Sequence, residues 1–160
     1  MSVQSEVRSD HQLARLLQIG VVLEEVVEAR AAKHASELAD LSADVRTMLE
    51  EAAEESEEHR ERLEELVAAL DAETVGFEEI QQLVEAQYEA DQDFDGVLYD
   101  QLCNEETAYK FYDDLIAAIE ASEAEFGVDR DHLLSVLQSI REEEKEGVEE
   151  VTALMERGGR

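Results

Sequence analysis

The segment from Ala52 to Leu66, with the sequence AAEESEEHRERLEEL, constrains the fold of this chain more than any other. At about 100° of rotation per residue, one face of a helix here carries His59 in the middle of an apolar stripe. The members of this stripe are Val45, Met48, Leu49, Ala52, Ser56, His59, Leu63, Leu66, Val67 and Leu70. A polar side chain is costly to bury unless another polar group pairs with it. The sequence therefore predicts that other helices place polar partners opposite His59.

The composition of the chain favours long α-helices over β-strands. The 160 residues contain no proline and seven glycines, and the abundance of alanine, leucine and glutamate adds high helix propensity. A chain of this length buries enough apolar surface for one domain. Because 44% of the residues are hydrophobic and recur at helical spacing, an acidic disordered chain is the weaker interpretation. We therefore expect a single all-α domain.

The formal net charge is −30, from 43 acidic and 13 basic residues. No basic stripe is available to neutralise phosphate groups, so we expect neither a nucleic acid nor a membrane as a partner. Self-repulsion of this size weakens in about 1 M salt, where the screening length falls to about 3 Å. With lysine only at positions 33, 110 and 145, the surface resembles that of cytoplasmic proteins from extreme halophiles. The sequence has no leader-like start and no long apolar run, which also predicts a cytoplasmic protein.

Apolar periodicity divides the chain into four long helices. They are predicted over about residues 10–38, 42–72, 97–122 and 129–156, with caps at Asp10, Ser42 and either Asp129 or Asp131. A shorter helix over residues 77–90 and a turn over residues 91–96 form the connection between the second and third long helices, which therefore run parallel. Residues 1–9 and 157–160 are predicted to be a flexible arm and tail. The expected architecture is one four-helix bundle over residues 10–156.

Each long helix carries a polar position at mid-length on its apolar face. These positions are Glu24, Ser56 with His59, Glu105, and Glu144. Four polar positions at one depth indicate a shared purpose, and carboxylates with imidazole around a cavity suit iron or manganese. His34 also faces inward, but ten residues of helix separate it from Glu24 by about 15 Å. His34 and Glu24 are therefore not expected to share one ion.

These residues lie in the segments VLEEVVEARAAKH, EESEEHRERLEEL, NEETAYKFYDDLI and IREEEKEGVEEV. In this pattern the chain resembles the ferritin-like superfamily, in particular its bacterioferritin and rubrerythrin branches, over about residues 12–155. The resemblance implies a bundle in which helices one and three each donate a Glu, and helices two and four each donate a Glu-x-x-His pair, to two irons. It also implies iron handling or oxidant protection, with ferroxidase-like or peroxidase-like chemistry left open.

The resemblance implies a metal-binding role for four of the inward residues. Glu24 matches the terminal ligand of the first helix, and Glu105 matches that of the third, with Glu106 as the neighbouring alternative. His59 matches the histidine of the second helix, and Glu144 matches the glutamate of the fourth. A ligand set of Glu24, His59 and Glu144 is sufficient for a single ion.

Two positions depart from the ferritin-like pattern. Ser56 stands where the second helix supplies a bridging Glu, and Gly147 stands where the fourth supplies a His. Glu55, about one turn from His59, is a partial replacement for the missing bridge. Because glycine inside a helix costs roughly 1 kcal/mol relative to alanine, Gly147 either gives room to a neighbour or records a lost ligand. The expected cofactor is mono- or dinuclear iron or manganese, or none.

A metal-free bundle is the main alternative. In that case Glu24, Ser56, His59, Glu105 and Glu144 form a buried hydrogen-bonded network with some carboxyl groups protonated, and the protein is a scaffold or binds a partner. A shell-forming storage protein is a weaker alternative. Tyr109 and Tyr112 at helical spacing are typical of core residues, although a redox role beside a metal stays open.

A second apolar strip lies on the other side of the first helix. Its members are Ile19, Val22, Val26 and Ala29. A monomeric bundle does not need this strip, so we expect a second subunit or the crossover segment to cover it. The sequence therefore predicts a homodimer that forms through the face of Ile19, Val22 and Val26.

Overall fold

The computed structural model describes residues 7–74, 76, 78–79, 82 and 96–158. It contains four long helices: α1 (Asp10–Glu37), α2 (Ala43–Ala69), α3 (Val97–Glu120) and α4 (Arg130–Glu156). No β-strand occurs among these residues, so the predicted all-α class is confirmed. None of the helices described is both long enough and apolar enough to cross a membrane.

The helix starts follow from local capping, with one change from the prediction. Ser9, not Asp10, is the N-cap of α1, and its hydroxyl accepts a hydrogen bond from the Gln12 backbone N–H. Ser42 caps α2 and Asp129 caps α4 in the same way. A short polar side chain at this position satisfies one of the free N–H groups of the first turn.

Asp10 instead joins two segments that are distant in sequence. Its carboxylate accepts from the backbone N–H of Asp71 at 3.1 Å and from that of Gly127 at 2.9 Å. The start of α1, the end of α2 and the loop between α3 and α4 therefore lie at one end of the bundle.

At the other end, the second half of α1 meets the start of α3. Arg30 and His34 reach the Asp100 carboxylate at 2.7 and 3.2 Å. Since α2 ends at one end and α3 begins at the other, the two helices run parallel, and the end of α2 is about one helix length from the start of α3. The 27 residues of α2 make this distance about 40 Å. The predicted short helix over residues 77–90 and the turn over 91–96 lie largely outside the described residues.

The bundle consists of two helical hairpins. α1 packs mainly against α2 and α3 mainly against α4, and the hairpins meet through the pairs α1–α3 and α2–α4. An arginine stabilises each of the two short loops within the hairpins. Between α1 and α2, Arg46 donates to the carbonyls of Ala35 and Leu38. Between α3 and α4, Arg130 donates to three carbonyls at and just after the end of α3. Carbonyl groups at and just after a helix C-terminus have few backbone donors available, and these arginines supply additional ones.

Two apolar clusters fill the interior. The larger includes Leu13, Leu17, Leu63, Phe111, Tyr112, Leu115, Ile119, Leu133, Leu137 and Ile140. The smaller includes Ala31, Val45, Met48, Leu49, Leu98, Val151 and Leu154. Near the end of α4, Leu154 belongs to the smaller cluster and is 5% exposed, whereas its neighbour Met155 is 39% exposed. Val7 is also buried and accepts a hydrogen bond from the Ser122 hydroxyl, while residues 1–6 lie outside the described part.

Candidate metal centre

Four polar side chains, one from each helix, meet between the two apolar clusters. Glu24 of α1, His59 of α2, Glu105 of α3 and Glu144 of α4 are all at most 5% exposed. Ser56 is buried as well, one turn before His59. The sequence prediction of inward positions at a common depth is therefore correct for these residues.

Three of these residues come close enough to share one ion. We call Glu24, His59 and Glu144 the inner triad, because one ligand atom of each lies within 4.8 Å of the other two. Nδ1 of His59 is 3.0 Å from Oε1 of Glu144 and 3.5 Å from Oε2 of Glu24. Two ligands of one ion, each bonded at roughly 2.0–2.2 Å, are at most about 4.4 Å apart. The inner triad is therefore near the spacing of a metal site.

Two buried atoms of the inner triad have no hydrogen-bond partner among the described residues. They are Oε1 of Glu24 and Nε2 of His59. The other oxygen of Glu24, Oε2, accepts from the hydroxyl of Tyr112. Leaving a buried polar atom without a partner typically costs about 1–3 kcal/mol. Carboxylate and imidazole donors fit an iron or manganese ion, and an ion would supply a partner to the unpaired Glu24 oxygen.

The carboxyl groups of Glu105 and Glu144 form a hydrogen-bonded acidic pair. Burial and the neighbouring carboxylates raise the pKa of Glu144 well above its usual range. Burial also raises the pKa of Glu105, although hydrogen bonds from Glu144 and Gln101 oppose that rise. Gln101 donates to Oε1 of Glu105 at 2.8 Å. Without a cation, protons must offset part of the charge of this pair.

Gly147 gives room to Glu105. A Cβ atom added at Gly147 would lie 2.6 Å from Oε2 of Glu105, closer than real Cβ atoms approach other atoms. Of the two explanations for a glycine inside α4, the structure supports space for a neighbour. Any larger side chain at this position, including the histidine of the ferritin-like pattern, would displace Glu105 from its present place.

A second pair of carboxylates faces the other ring nitrogen of His59. Nε2 is 3.5 Å from Oε2 of Glu143 and 3.9 Å from Oε1 of Glu55. Arg62 holds Glu143 in place, with Nη1 at 3.0 Å from the same oxygen. Burial lowers the pKa of His59, but the carboxylates of Glu24, Glu55 and Glu143 outweigh burial and raise it. Burial raises the pKa of Glu55 to about 7.

Sequence reasoning missed Glu143 and Gln101, and it did not predict the hydrogen bond from Tyr112 to Glu24. Glu143 lies one position off the inward stripe of α4, so only its contact with another helix reveals its role. Gln101 is one turn before Glu105 on the same face, and this polar i,i+4 pair was an available signal. Tyr112 was interpreted as a core residue; it is fully buried, and its hydroxyl also holds Glu24.

The remaining polar candidates lie away from the centre. His34 is buried, as predicted, and pairs with Asp100 instead of reaching Glu24. Glu106 is exposed, which favours Glu105 as the inward residue of α3. Cys103 and His132 are exposed as well.

No protein-family model, curated protein or solved structure matches this chain. The ferritin-like resemblance therefore stays a prediction that rests on the inward residues of the four helices. The chemistry of the centre has to be inferred from the inner triad and the carboxylates around it.

Proposed function

We propose that this protein binds one divalent iron or manganese ion at the inner triad and serves in iron handling or oxidant protection, as ferritin-like proteins do. The observation that carries the proposal is the convergence of three buried ligand groups from three helices to within 4.8 Å of one another. The unpaired oxygen of Glu24 supports it.

Each residue of the centre has a defined part in holding such an ion. Glu24 and Glu144 would provide oxygen ligands and offset the positive charge, and His59 would provide Nδ1. Tyr112 orients Glu24 through its hydroxyl, and Glu143 is placed to accept the proton on Nε2 and so fix the tautomer of His59. A bound iron ion would supply electron exchange with oxygen or peroxide.

The ferritin-like part of the proposal has support from the helix arrangement. The chain has two helical hairpins with α2 parallel to α3, and each helix directs a carboxylate or a histidine inward. The resemblance implies more, namely a Glu-x-x-His pair on each of helices two and four. Ser56 and Gly147 remain departures from the pattern. With Glu105 seated against Gly147, the geometry favours one ion in the inner triad over a conventional pair.

An anaerobic ferrous titration of purified protein tests this proposal. We expect about one tightly bound ion per chain in the wild type. Glu24→Gln removes a charged ligand of the triad with little change in volume, so affinity should fall about 100-fold or more, since even outer partners of metal ligands contribute about 10- to 100-fold. Glu120→Gln, which changes an exposed glutamate, is the control and should bind like the wild type.

The metal-free scaffold is the second candidate, and one observation favours it. Hydrogen bonds already reach Nδ1 of His59 at 3.0 Å and Oε1 of Glu105 at 2.8 Å, so protons and protein donors satisfy much of the centre. In this case the wild-type protein would not bind iron, and added iron would leave its thermal stability unchanged.

A further inference from the structure

A small cavity of about 90 Å³ lies between α2 and α4, and its lining includes Glu55 and Glu143, the two carboxylates that face Nε2 of His59. Its polar lining consists of carboxylates from three helices, namely Glu51, Glu55, Glu105, Glu143, Glu146 and Glu150. The side chains of Glu51, Glu146 and Glu150 are exposed, so the cavity meets solvent there. Glu105 and Gly147 lie at its inner end.

His59 contacts two of the residues that line this cavity. Its Nε2 is fully buried, has no hydrogen-bond partner among the described residues, and lies 3.5 Å from a carboxylate oxygen of Glu143 and 3.9 Å from one of Glu55. Nδ1 faces Glu24 and Glu144 on the opposite side of the ring. The imidazole therefore lies between the carboxylates of Glu24 and Glu144 on one side and those of Glu55 and Glu143 on the other.

The charge of the cavity is poorly balanced by protein. None of the described residues that line it is basic, and Arg62 contacts Glu143 from outside the lining at 3.0 Å. Carboxylates that converge in a partly desolvated space repel one another more strongly than in water. A cation is the natural counter-charge for such a group.

The dimensions indicate what kind of cation fits. A buried water molecule needs roughly 10–15 Å³ of such space, so 90 Å³ accommodates a cation with several of its waters. Oxygen donors in a roomy site suit hard divalent ions that keep part of their hydration shell, such as Mg²⁺ or Mn²⁺.

We propose that this cavity is a second cation site, the outer site, which holds a hydrated divalent cation through Glu55, Glu105 and Glu143. The inference rests on the proposed function, because it assumes an ion at the inner triad and places the outer site on the opposite side of the His59 ring. A neutral imidazole has one nitrogen lone pair, so His59 ligates one ion at a time. When the inner triad is filled through Nδ1, the outer ion is bound by oxygen atoms alone and more weakly.

A titration with Mn²⁺ alone, followed by the electron paramagnetic resonance signal of free Mn²⁺, tests the outer site. The wild type should bind two ions per chain with different affinities. The double change Glu55→Gln with Glu150→Gln leaves the inner triad intact and should weaken the second binding event at least tenfold. Glu65→Gln with Glu120→Gln removes the same charge at exposed positions and should leave both events unchanged.

A second variant tests the cavity without a change of charge. Ala52 lines the cavity, and Ala52→Leu should fill it and abolish the weaker event while the tighter one persists. Ala68→Leu, at an exposed position of α2, is the matched control.

The outcomes separate this proposal from the proposed function. Two binding events in the wild type support both the inner triad and the outer site, provided that Glu24→Gln removes the tighter event and the cavity variants remove the weaker one. A single event that Glu24→Gln removes and the cavity variants do not affect overturns the outer site and leaves the inner one standing. A single event that only the cavity variants remove supports the outer site and overturns the inner one. No bound Mn²⁺ in the wild type overturns both.

Discussion

Gly147 shows how one residue can be tied to the chemistry of a buried site. Alanine stabilises an interior helix position by about 1 kcal/mol relative to glycine. At position 147, however, a Cβ atom would lie 2.6 Å from the Glu105 carboxylate. A shift of that carboxylate would disturb its hydrogen bonds with Gln101 and Glu144. The glycine therefore preserves the position of a buried acid at the expense of helix stability.

The first prediction concerns the coupling between these two residues. In a Glu105→Ala background, Gly147→Ala should stabilise the protein by about 1 kcal/mol, the normal helix propensity. In the wild-type background this gain should be cancelled or reversed, because the displaced carboxylate loses hydrogen bonds worth about 1 kcal/mol each. Urea unfolding of the four proteins measures the difference. Equal effects of Gly147→Ala in both backgrounds would contradict the assigned role of the glycine.

The second prediction concerns the pH dependence of the metal-free protein. The pKa of Glu55 is raised to about 7, and the pKa values of Glu105 and Glu144 are raised as well. Between about pH 4.5 and these values the folded state binds more protons than the unfolded state, so stability should fall as the pH rises from about 5 to 8. The raised pKa of His59 acts in the same direction.

Urea midpoints over this pH range in molar salt measure the effect. Glu55→Gln should flatten the decline between pH 5 and 8, and exposed Glu120→Gln should not. Saturating Mn²⁺ should also reduce the decline, because a cation replaces the protons as counter-charge. Metal-free protein that becomes more stable toward pH 8 would be inconsistent with the buried acids described here.

At the scale of the helices, Asp100 of α3 forms polar contacts with Arg30 and His34 of α1 at one end of the bundle. Burial acts to raise the pKa of Asp100, but His34 and Arg30 outweigh burial and lower it. A lowered folded-state pKa means that this contribution to stability is present above about pH 3.9, the unfolded value, and is lost as the pH falls through the folded value.

The third prediction compares two aspartates. Asp100→Asn leaves the side chains of Arg30 and His34 with a neutral partner inside the protein, which should cost about 3 kcal/mol. Asp113→Asn breaks the exposed 2.8 Å pair with Arg141 and should cost less than about 1 kcal/mol. Thermal unfolding at neutral pH measures both. Similar losses of unfolding free energy in the two variants would show that the contacts of Asp100 contribute no more to stability than an exposed ion pair.

Helix positions were predictable because their signals are local. Ser42 caps α2 as predicted, Asp129 is one of the two caps predicted for α4, and α3 begins at Val97 as expected. Contacts between helices were not predictable in the same way. Asp10 joins two loops instead of capping α1, and Glu143 belongs to the centre because Arg62 on α2 holds it there.

The same limit applies to the candidate site. Periodicity located Glu24, His59, Glu105 and Glu144, because inward positions repeat along each helix. It does not determine which nitrogen of His59 faces which carboxylates, or that Glu105 occupies the space above Gly147. Those relations depend on the relative rotation of helices that are distant in sequence.

At the scale of the whole molecule, we propose that α1 joins two copies of the bundle through Ile19, Val22 and Val26. These residues are partly exposed, although they also pack against the larger apolar cluster. A second copy would remove the remaining exposed apolar area from water.

The fourth prediction is that the double change Val22→Lys with Val26→Lys dissociates a dimer to monomers while each chain keeps its bound metal. Light scattering measures the mass, elemental analysis measures the metal, and circular dichroism checks that the variant is folded. The exposed double change Ala32→Lys with Ser36→Lys is the control. A monomeric wild type, or a dimer that survives the change, would contradict the proposed interface.

The most direct test of the central claim is the metal content per chain of protein purified in molar salt without chelators. The inner triad predicts about one iron or manganese ion in the wild type and in His132→Ala, which changes an exposed histidine. His59→Ala should contain almost none at the inner triad, so its metal content should fall by about one ion. Wild-type protein that is folded but free of metal, or a His59→Ala variant with unchanged content, would contradict the claim that the centre binds a metal.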